Sequence, residues 1–282
     1  MITPADVAAA GQLACLLEVS APKPGNVSPE RHFHDTRYED FLASAVAIGP
    51  ALAGAAEHPL GTTIRTAVEA TRRWTRSNTN LGIVLLLAPL ARAALHTQGT
   101  LRRRLGQVLA ETTVADAAEV YAAIRRAGPG GLGQSRAEDV AGPPTVTLRE
   151  AMALAAERDA VAREYVTDFA LTFEIGVPAI QASREDGLAW TEAAVEAYLT
   201  LLAATPDTHI ARKLGPGVAE SVSRQAQEAR AAGGTRSAAG RKALAALDAE
   251  LRDPRNRRNP GTTADLTCAA IFVVILEGGW DR

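Results

Sequence analysis

Residues 81–95 read LGIVLLLAPLARAAL, and no other stretch constrains the fold as much. A helix that is apolar on nearly every side cannot lie on a surface, so other elements must enclose it. Pro89 and Arg92 interrupt the run and it is too short to span a bilayer comfortably, which leaves a buried core helix. The last helical segment, from about Thr262 to Glu277, makes the same demand. Composition indicates what encloses them. Hydrophobic residues make up 47% of the chain but aromatics only 4%, so the core is alanine, leucine and valine. That suits closely packed helices, because aromatic strand formers are scarce. No alternating strand pattern or fixed-period repeat is present. The expectation is an all-α fold over residues 1–282, a single compact multi-helix bundle of roughly ten helices with a polar cleft formed by inter-helix loops.

Local signals set the helix boundaries. Thr3, Pro4 and Asp6 open a first helix that APKPG ends near Ser20. Thr36 with Glu39, and Thr147 with Glu150, have capping-box spacing. A further helix covers about 62–75, helical sequence follows Glu150, and Thr191 starts another helix. GPGGLGQ at 128–134 is the best candidate for a mobile connection. The formal net charge of −2 and a pI near 6.2 argue against a nucleic-acid partner. Cys15 and Cys268 have no metal-ligand spacing and read as buried apolar residues in a reducing compartment. The start, MITPADVAAAG, lacks the features of a signal peptide, so a cytoplasmic location without a membrane partner is expected.

Four breaks between helices gather the polar residues. APKPGNVSPERHFHD holds Lys23, Gly25, Asn26, His32, His34 and Asp35. SNTNLG holds Asn78, Thr79, Asn80 and Gly82. PDTHIARKLG holds Asp207, Thr208, His209, Arg212 and Lys213, and RNPGTTADL holds Asn259, Gly261, Thr262, Thr263 and Asp265. Helix N-termini favour anions, glycines let a backbone approach a phosphate, carboxylates hold magnesium and lysine neutralises phosphate charge. Capping alone would also put Asn, Thr, Gly and Pro at such boundaries, and Asp207 reads equally as an N-cap. His32 and His34 alternate as metal ligands do, but lack a third ligand. Glu157, Asp159 and Asp168, within a helical hairpin, fit either a site or an exposed helix face. Lysine usage favours a site: the chain has three lysines, and Lys23 and Lys213 both fall in glycine-flanked breaks. A compact ammonium meets phosphate oxygens differently from a guanidinium fork.

Taken in order, PKPGNV, HFHD, NTNLG, DTHIARKLG and NPGTTADLT resemble the triphosphoribosyl-dephospho-CoA synthase family, from about residue 10 to 278. The resemblance implies an all-helical transferase that joins ATP to 3'-dephospho-CoA with release of adenine, in prosthetic-group biosynthesis. It aligns Lys23 and Gly25 with the family's PKPG segment, and Asp35 with its histidine-aspartate segment. Asn78 and Thr79 match the NT pair, Asp207 and Thr208 the DT pair, and Gly261 and Asp265 the glycine-to-aspartate segment. The chain departs from the citrate-lyase pattern at Asn80–Leu81, at Arg212–Gly215 and at NPGTT, which leaves the acceptor open. The alternatives are an acceptor of tetrahydromethanopterin-linked metabolism, or water, as in a magnesium-dependent N-glycosidic hydrolase.

Substitution at the ribose C1' passes through a transition state of oxocarbenium character that nearby carboxylates stabilise. The expected catalytic residues are Asp35, His34 and Asp207. ATP would be held by Lys23, Gly25, Asn78, Thr79, Arg212, Lys213, Asn259, Gly261 and Thr263, and Mg2+ by Asp207 and Asp265. Lys23, Asn78, Asp207 and Asp265 are expected to converge on one cleft. On this reading Lys23→Ala would leave folding nearly unchanged and weaken ATP binding.

Overall fold

The computed structural model describes residues 2–131, 133 and 137–280. Among them the chain forms fourteen α-helices and no strand, with one isolated bridge between Ser28 and Arg31. Leu132 and Gln134 of the glycine-rich connection lie outside the described residues. No helix is long and apolar enough to cross a membrane among the residues described. The chain forms two compact units, Met1–Cys15 with Glu39–Ala170 and Leu16–Tyr38 with Leu171–Arg282.

The first unit contains most of α1 (Pro4–Ser20), then α2 (Tyr38–Ala53, whose first residue belongs to the other unit), α3 (Leu60–Thr71), α4 (Leu81–Ala94), α5 (Leu101–Ala110), α6 (Val114–Ala127), α7 (Leu148–Ala155) and α8 (Ala160–Thr167). Helix α4 is buried at 12 of its 14 positions, with α3, α5 and α8 packed against it. Two of these helices carry an internal proline, and each proline deprives the carbonyl four residues earlier of its N–H donor. Both carbonyls are satisfied from another helix. Gln12 Nε2 donates to Val46 O at 2.9 Å, four residues before Pro50. The buried Tyr165 hydroxyl donates to Leu85 O at 2.7 Å, four residues before Pro89.

The second unit follows with α9 (Val177–Glu185), α10 (Trp190–Ala204), α11 (Thr208–Leu214), α12 (Pro216–Ala231), α13 (Ala238–Leu251) and α14 (Gly261–Leu276). Thirteen of the 16 residues of α14 are buried, against α9, α10 and α11. A second core layer joins Tyr198, Leu199 and Leu202 of α10 to Val222 of α12 and Leu247 of α13.

The stretch after Glu150, expected to hold a helical hairpin, is broken at two places. Asp159 caps a new helix by accepting from Val161 and Ala162 N–H. Asp168 and Phe169 then take left-handed backbone angles, and a π turn over Thr172–Gly176 precedes Pro178. Widening to a π turn makes room where the proline ring would crowd the carbonyl of Glu174. The Thr147–Glu150 capping box forms in both directions. Elsewhere the boundaries shift. Helix α2 starts at Tyr38, whose N–H goes to His32 Nδ1 at 3.1 Å, while Thr36 donates to Asp35. Helix α10 starts at Trp190 rather than Thr191.

Candidate functional site

The PKPG segment is an internal brace of the second unit. Lys23 is 1% exposed. Its ammonium lies 2.9 Å from the Glu18 carboxylate and donates to Glu18 O and to Ala21 O, at the end of α1. An ammonium has three donors, so none is left for a phosphate in this arrangement. Lys23, expected to contact ATP, here closes the last turn of α1. Gly25, at φ +75°, sits where a Cβ would meet Leu251 at 2.9 Å and Pro260 at 3.1 Å, so the loop packs directly on α13 and on the residue before α14. Its N–H donates to Asp248 Oδ1 at 2.8 Å. The buried Tyr198 hydroxyl donates to Pro24 O at 2.7 Å and accepts from Asn26 Nδ2 at 3.1 Å. Burial, with Asp207, Asp248 and Glu18 nearby, pushes that phenol far above its usual range.

Asp207 ties α11 to α14. One carboxylate oxygen accepts from Ile210 N–H at 3.0 Å, the other from Thr263 N–H at 2.8 Å and Thr263 Oγ1 at 2.7 Å. His209 N–H is a further donor to it. Four donors fill the four lone-pair positions of a carboxylate. Burial raises the Asp207 pKa, opposed by those hydrogen bonds. Asp207, expected as a catalytic and metal-binding residue, and Thr263, expected to contact the nucleotide, here form a clip between two helix starts. Beside it, Thr208 Oγ1 donates to Thr262 Oγ1 at 3.1 Å.

A polar cluster surrounds this clip. Lys213 is part-buried and makes no hydrogen bond or ion pair with any described residue. Burial and Arg212 lower its pKa, while Asp207, Asp253 and Asp35 act in the opposite direction. Asp253 organises the turn before α14 by accepting the N–H groups of Arg255, Arg257 and Arg258. Asn256 in that turn meets His34 Nδ1 at 2.9 Å, and His34 Nε2 stands 3.7 Å from Asp35 Oδ2. His209 packs on Gly261, where a Cβ would come within 2.5 Å of Nδ1. Its Nε2 is covered and has no partner among the described residues, and burial, Lys213 and Arg212 lower its pKa to about 3. Three of the four polar breaks thus meet in the second unit. His209 is absent from the expected site residues because nothing in DTHIARKLG separates a ring with a covered nitrogen from an exposed one. The glycine at 261 is the signal that could have found it.

The fourth break belongs to the first unit and is satisfied locally. Asn78 Oδ1 accepts Leu81 N–H at 3.1 Å, Asn80 Nδ2 donates to Thr71 Oγ1 at 3.0 Å, and Thr79 Oγ1 pairs with Ser44 Oγ at 2.6 Å. Glu157 is exposed. Asp168, with Arg102 on its carbonyl and Arg149 on its carboxylate, ends α8. Among the described residues no three His, Cys, Asp or Glu side chains are grouped to hold a metal ion. A Mg2+ carried on a polyphosphate needs only one or two carboxylates besides phosphate oxygens and water. Asp35, exposed, and Asp265, part-buried on α14, suit that requirement.

An all-helical chain with a lysine–histidine cluster at the start of its last helix is the class that fold and site define. The chain belongs to the ATP:dephospho-CoA triphosphoribosyl transferase family (CitG), which it matches over residues 4–282. It is 33% identical over 104 residues to the 2-(5''-triphosphoribosyl)-3'-dephosphocoenzyme-A synthase of Klebsiella pneumoniae, covering 37% of this chain and 36% of that protein. A provisionally named counterpart in Stutzerimonas stutzeri strain A1501 is 35% identical over 108 residues, covering 37% and 36%. The matched stretch therefore spans little more than a third of these curated relatives. A crystal structure of a provisionally named triphosphoribosyl-dephospho-CoA synthase from Archaeoglobus fulgidus superimposes with a TM-score of 0.66 at 29% identity, over 84% of this chain and 99% of that one.

Proposed function

We propose that the chain transfers the triphosphoribosyl group of ATP to a hydroxyl of 3'-dephospho-CoA or a related acceptor, with release of adenine, as a cytoplasmic step of prosthetic-group biosynthesis. Family membership names the reaction, and the observation that carries it to this molecule is Lys213. A part-buried ammonium that makes no hydrogen bond or ion pair, beside Arg212, suits an anion, because burial and Arg212 disfavour its charged form against Asp207, Asp253 and Asp35. A triphosphate supplies the missing partner.

The acceptor hydroxyl forms a bond to the ribose C1', the C1'–N9 bond breaks, and its electron pair leaves with adenine. The hydroxyl proton passes to a base, and adenine takes up a proton as it departs. Asp35 is the carboxylate to accept that proton or to face the developing positive charge on this reading, which the nearness of His34, 3.7 Å away and paired with Asn256, supports. Lys213 and Arg212 fix the triphosphate so that it is carried over intact. Mg2+ accompanying ATP would take Asp35 or Asp265 and supply charge neutralisation.

Incubation with ATP, Mg2+ and 3'-dephospho-CoA, followed by mass analysis, tests the reading. Free adenine and a triphosphoribosyl adduct should form in equal amounts and only with acceptor present. Adenine release without acceptor would identify a hydrolase instead. No adenine under either condition would sink the assignment.

A further inference from the structure

His209 holds a polar atom that neither the fold nor the reaction outlined above uses. Nearly all buried polar atoms in folded proteins are hydrogen-bonded, and an unpaired one requires a reason. Here Nε2 is covered and unpaired. His209 and Lys213 are four residues apart on α11 and share one face of it. Lys213 is near enough to act on the imidazole as a cation, lowering its pKa. On its other side the ring rests against Gly261, where any side chain would collide with Nδ1. A backbone position kept clear for one ring, with a cation four residues on along the same helix, describes a group held in place beside a charged neighbour.

We propose that His209 is a substrate-binding residue: its Nε2–H donates to an oxygen of the polyphosphate that draws the Lys213 ammonium to it. This rests on reading the cluster as a polyphosphate site and extends it to a neutral second ligand. The phosphate is the natural recipient because both charged groups that act on the ring, Lys213 and Arg212, are cations, and one phosphate oxygen has lone pairs enough for both donors. A proton-accepting role fits the ring less well. Burial and the two cations hold its pKa near 3, too low to take a proton from a sugar hydroxyl, yet a neutral ring keeps one N–H to donate.

The test uses inorganic tripolyphosphate in calorimetric titrations of the wild type, His209→Gln, His209→Ala and Lys213→Met, with melting curves as folding controls. Tripolyphosphate should bind the wild type, and binding should fall at least about 10-fold in Lys213→Met and roughly 3- to 10-fold in His209→Ala. Glutamine, whose amide N–H reaches near the Nε2 position, should restore affinity to within about 2-fold of wild type. In steady state His209→Ala should raise the KM for ATP and leave kcat unchanged, the signature of binding shared by ground and transition states. Equal affinities in wild type and His209→Ala would overturn the inference. So would an equal loss in the Gln and Ala variants, or a fall in kcat at constant KM. Failure of the underlying reading looks different: tripolyphosphate would then fail to bind the wild type, or would bind Lys213→Met as tightly.

Discussion

Each unit is built around a helix that is buried on nearly every side, α4 in the first and α14 in the second, yet the breaks leading into them handle polarity in opposite ways. Before α4, Asn78, Thr79 and Asn80 each find a partner within the unit. Before α14, Asp207 and Thr263 are equally well paired, but the neighbouring Lys213 ammonium and His209 Nε2 are not. Asn and Thr lead into both helices. What separates a capped helix start from a site is whether the donors and acceptors are already used.

The strongest way to break that comparison is at Lys23, which belongs with the satisfied groups although its sequence setting suggests a ligand. Lys23→Met leaves the Glu18 carboxylate buried and unpaired. Removing one member of a buried ion pair costs about 3–5 kcal/mol. Urea unfolding should show a loss of that size, and Glu18→Leu combined with Lys23→Met should recover most of it. A Lys23→Met protein as stable as wild type, with ATP affinity reduced, would restore the ligand reading. Lys213→Met is the complementary case. It should fold normally and weaken ATP binding by about 1.5–3 kcal/mol, the scale of a hydrogen bond to a charged group. Calorimetric titration with Mg-ATP reads it, and unchanged affinity would remove Lys213 from the site.

Much of the fold is legible in the sequence because apolar periodicity and capping boxes are local. The end of α1 at Ser20, the start of α4 at Leu81 and the reciprocal Thr147–Glu150 cap follow from residues a few positions apart. The kinked stretch after Glu150 is not legible, since left-handed Asp168 depends on Arg102 and Arg149 from elsewhere in the unit. The site is legible as a set of breaks, three of which meet, but individual roles are not. Lys23 and Lys213 both lie beside glycine, and only the distance from Lys23 to Glu18 tells them apart. Gly25 and Gly261 both suggest a close phosphate approach, whereas one admits Leu251 and Pro260 and the other admits His209.

The first unit offers a test that should leave the site untouched. Tyr165→Phe removes only the hydroxyl that serves Leu85 O in place of the donor Pro89 lacks. An unsatisfied buried acceptor costs about 1–3 kcal/mol, so unfolding should shift by that amount while Mg-ATP affinity stays constant. Loss of ATP binding at full stability would mean that the phenol serves the site and not the α4 proline.

The smallest expected effect sharpens the contrast most directly, because it separates the two helix starts by pH. No ionisable side chain lies in the Asn78–Leu81 break, so Asn78→Ala should lower stability equally at every pH between about 5.5 and 7.5. At the start of α14, His209 has a folded pKa of about 3 against an ordinary value of 6.5. Its folded value is depressed, so between these limits the unfolded chain binds a proton that the folded chain does not. Stability contributed by the neutral ring is therefore complete above about pH 6.5 and is lost progressively as pH falls toward 3. From about pH 7.5 to 5.5 the loss amounts to roughly 1.4 kcal/mol, since one pKa unit corresponds to about 1.36 kcal/mol. Stopping at about pH 5.5 keeps the experiment well above the folded value. Asp207, Arg212 and Lys213 on α11, Asp265 on α14, and Asp253 and Asp35 beside them remain in both wild type and His209→Gln, so their titration cancels to first order. Asp207 acts with the opposite sign, because its folded pKa is raised and its contribution weakens as pH rises above its usual 3.8. Urea unfolding of the two proteins at about pH 7.5 and 5.5 should show wild type losing about 1.4 kcal/mol more than His209→Gln. Parallel losses would mean that the imidazole takes up its proton in the folded state, and the neutral donor at the start of α14 would have to be abandoned.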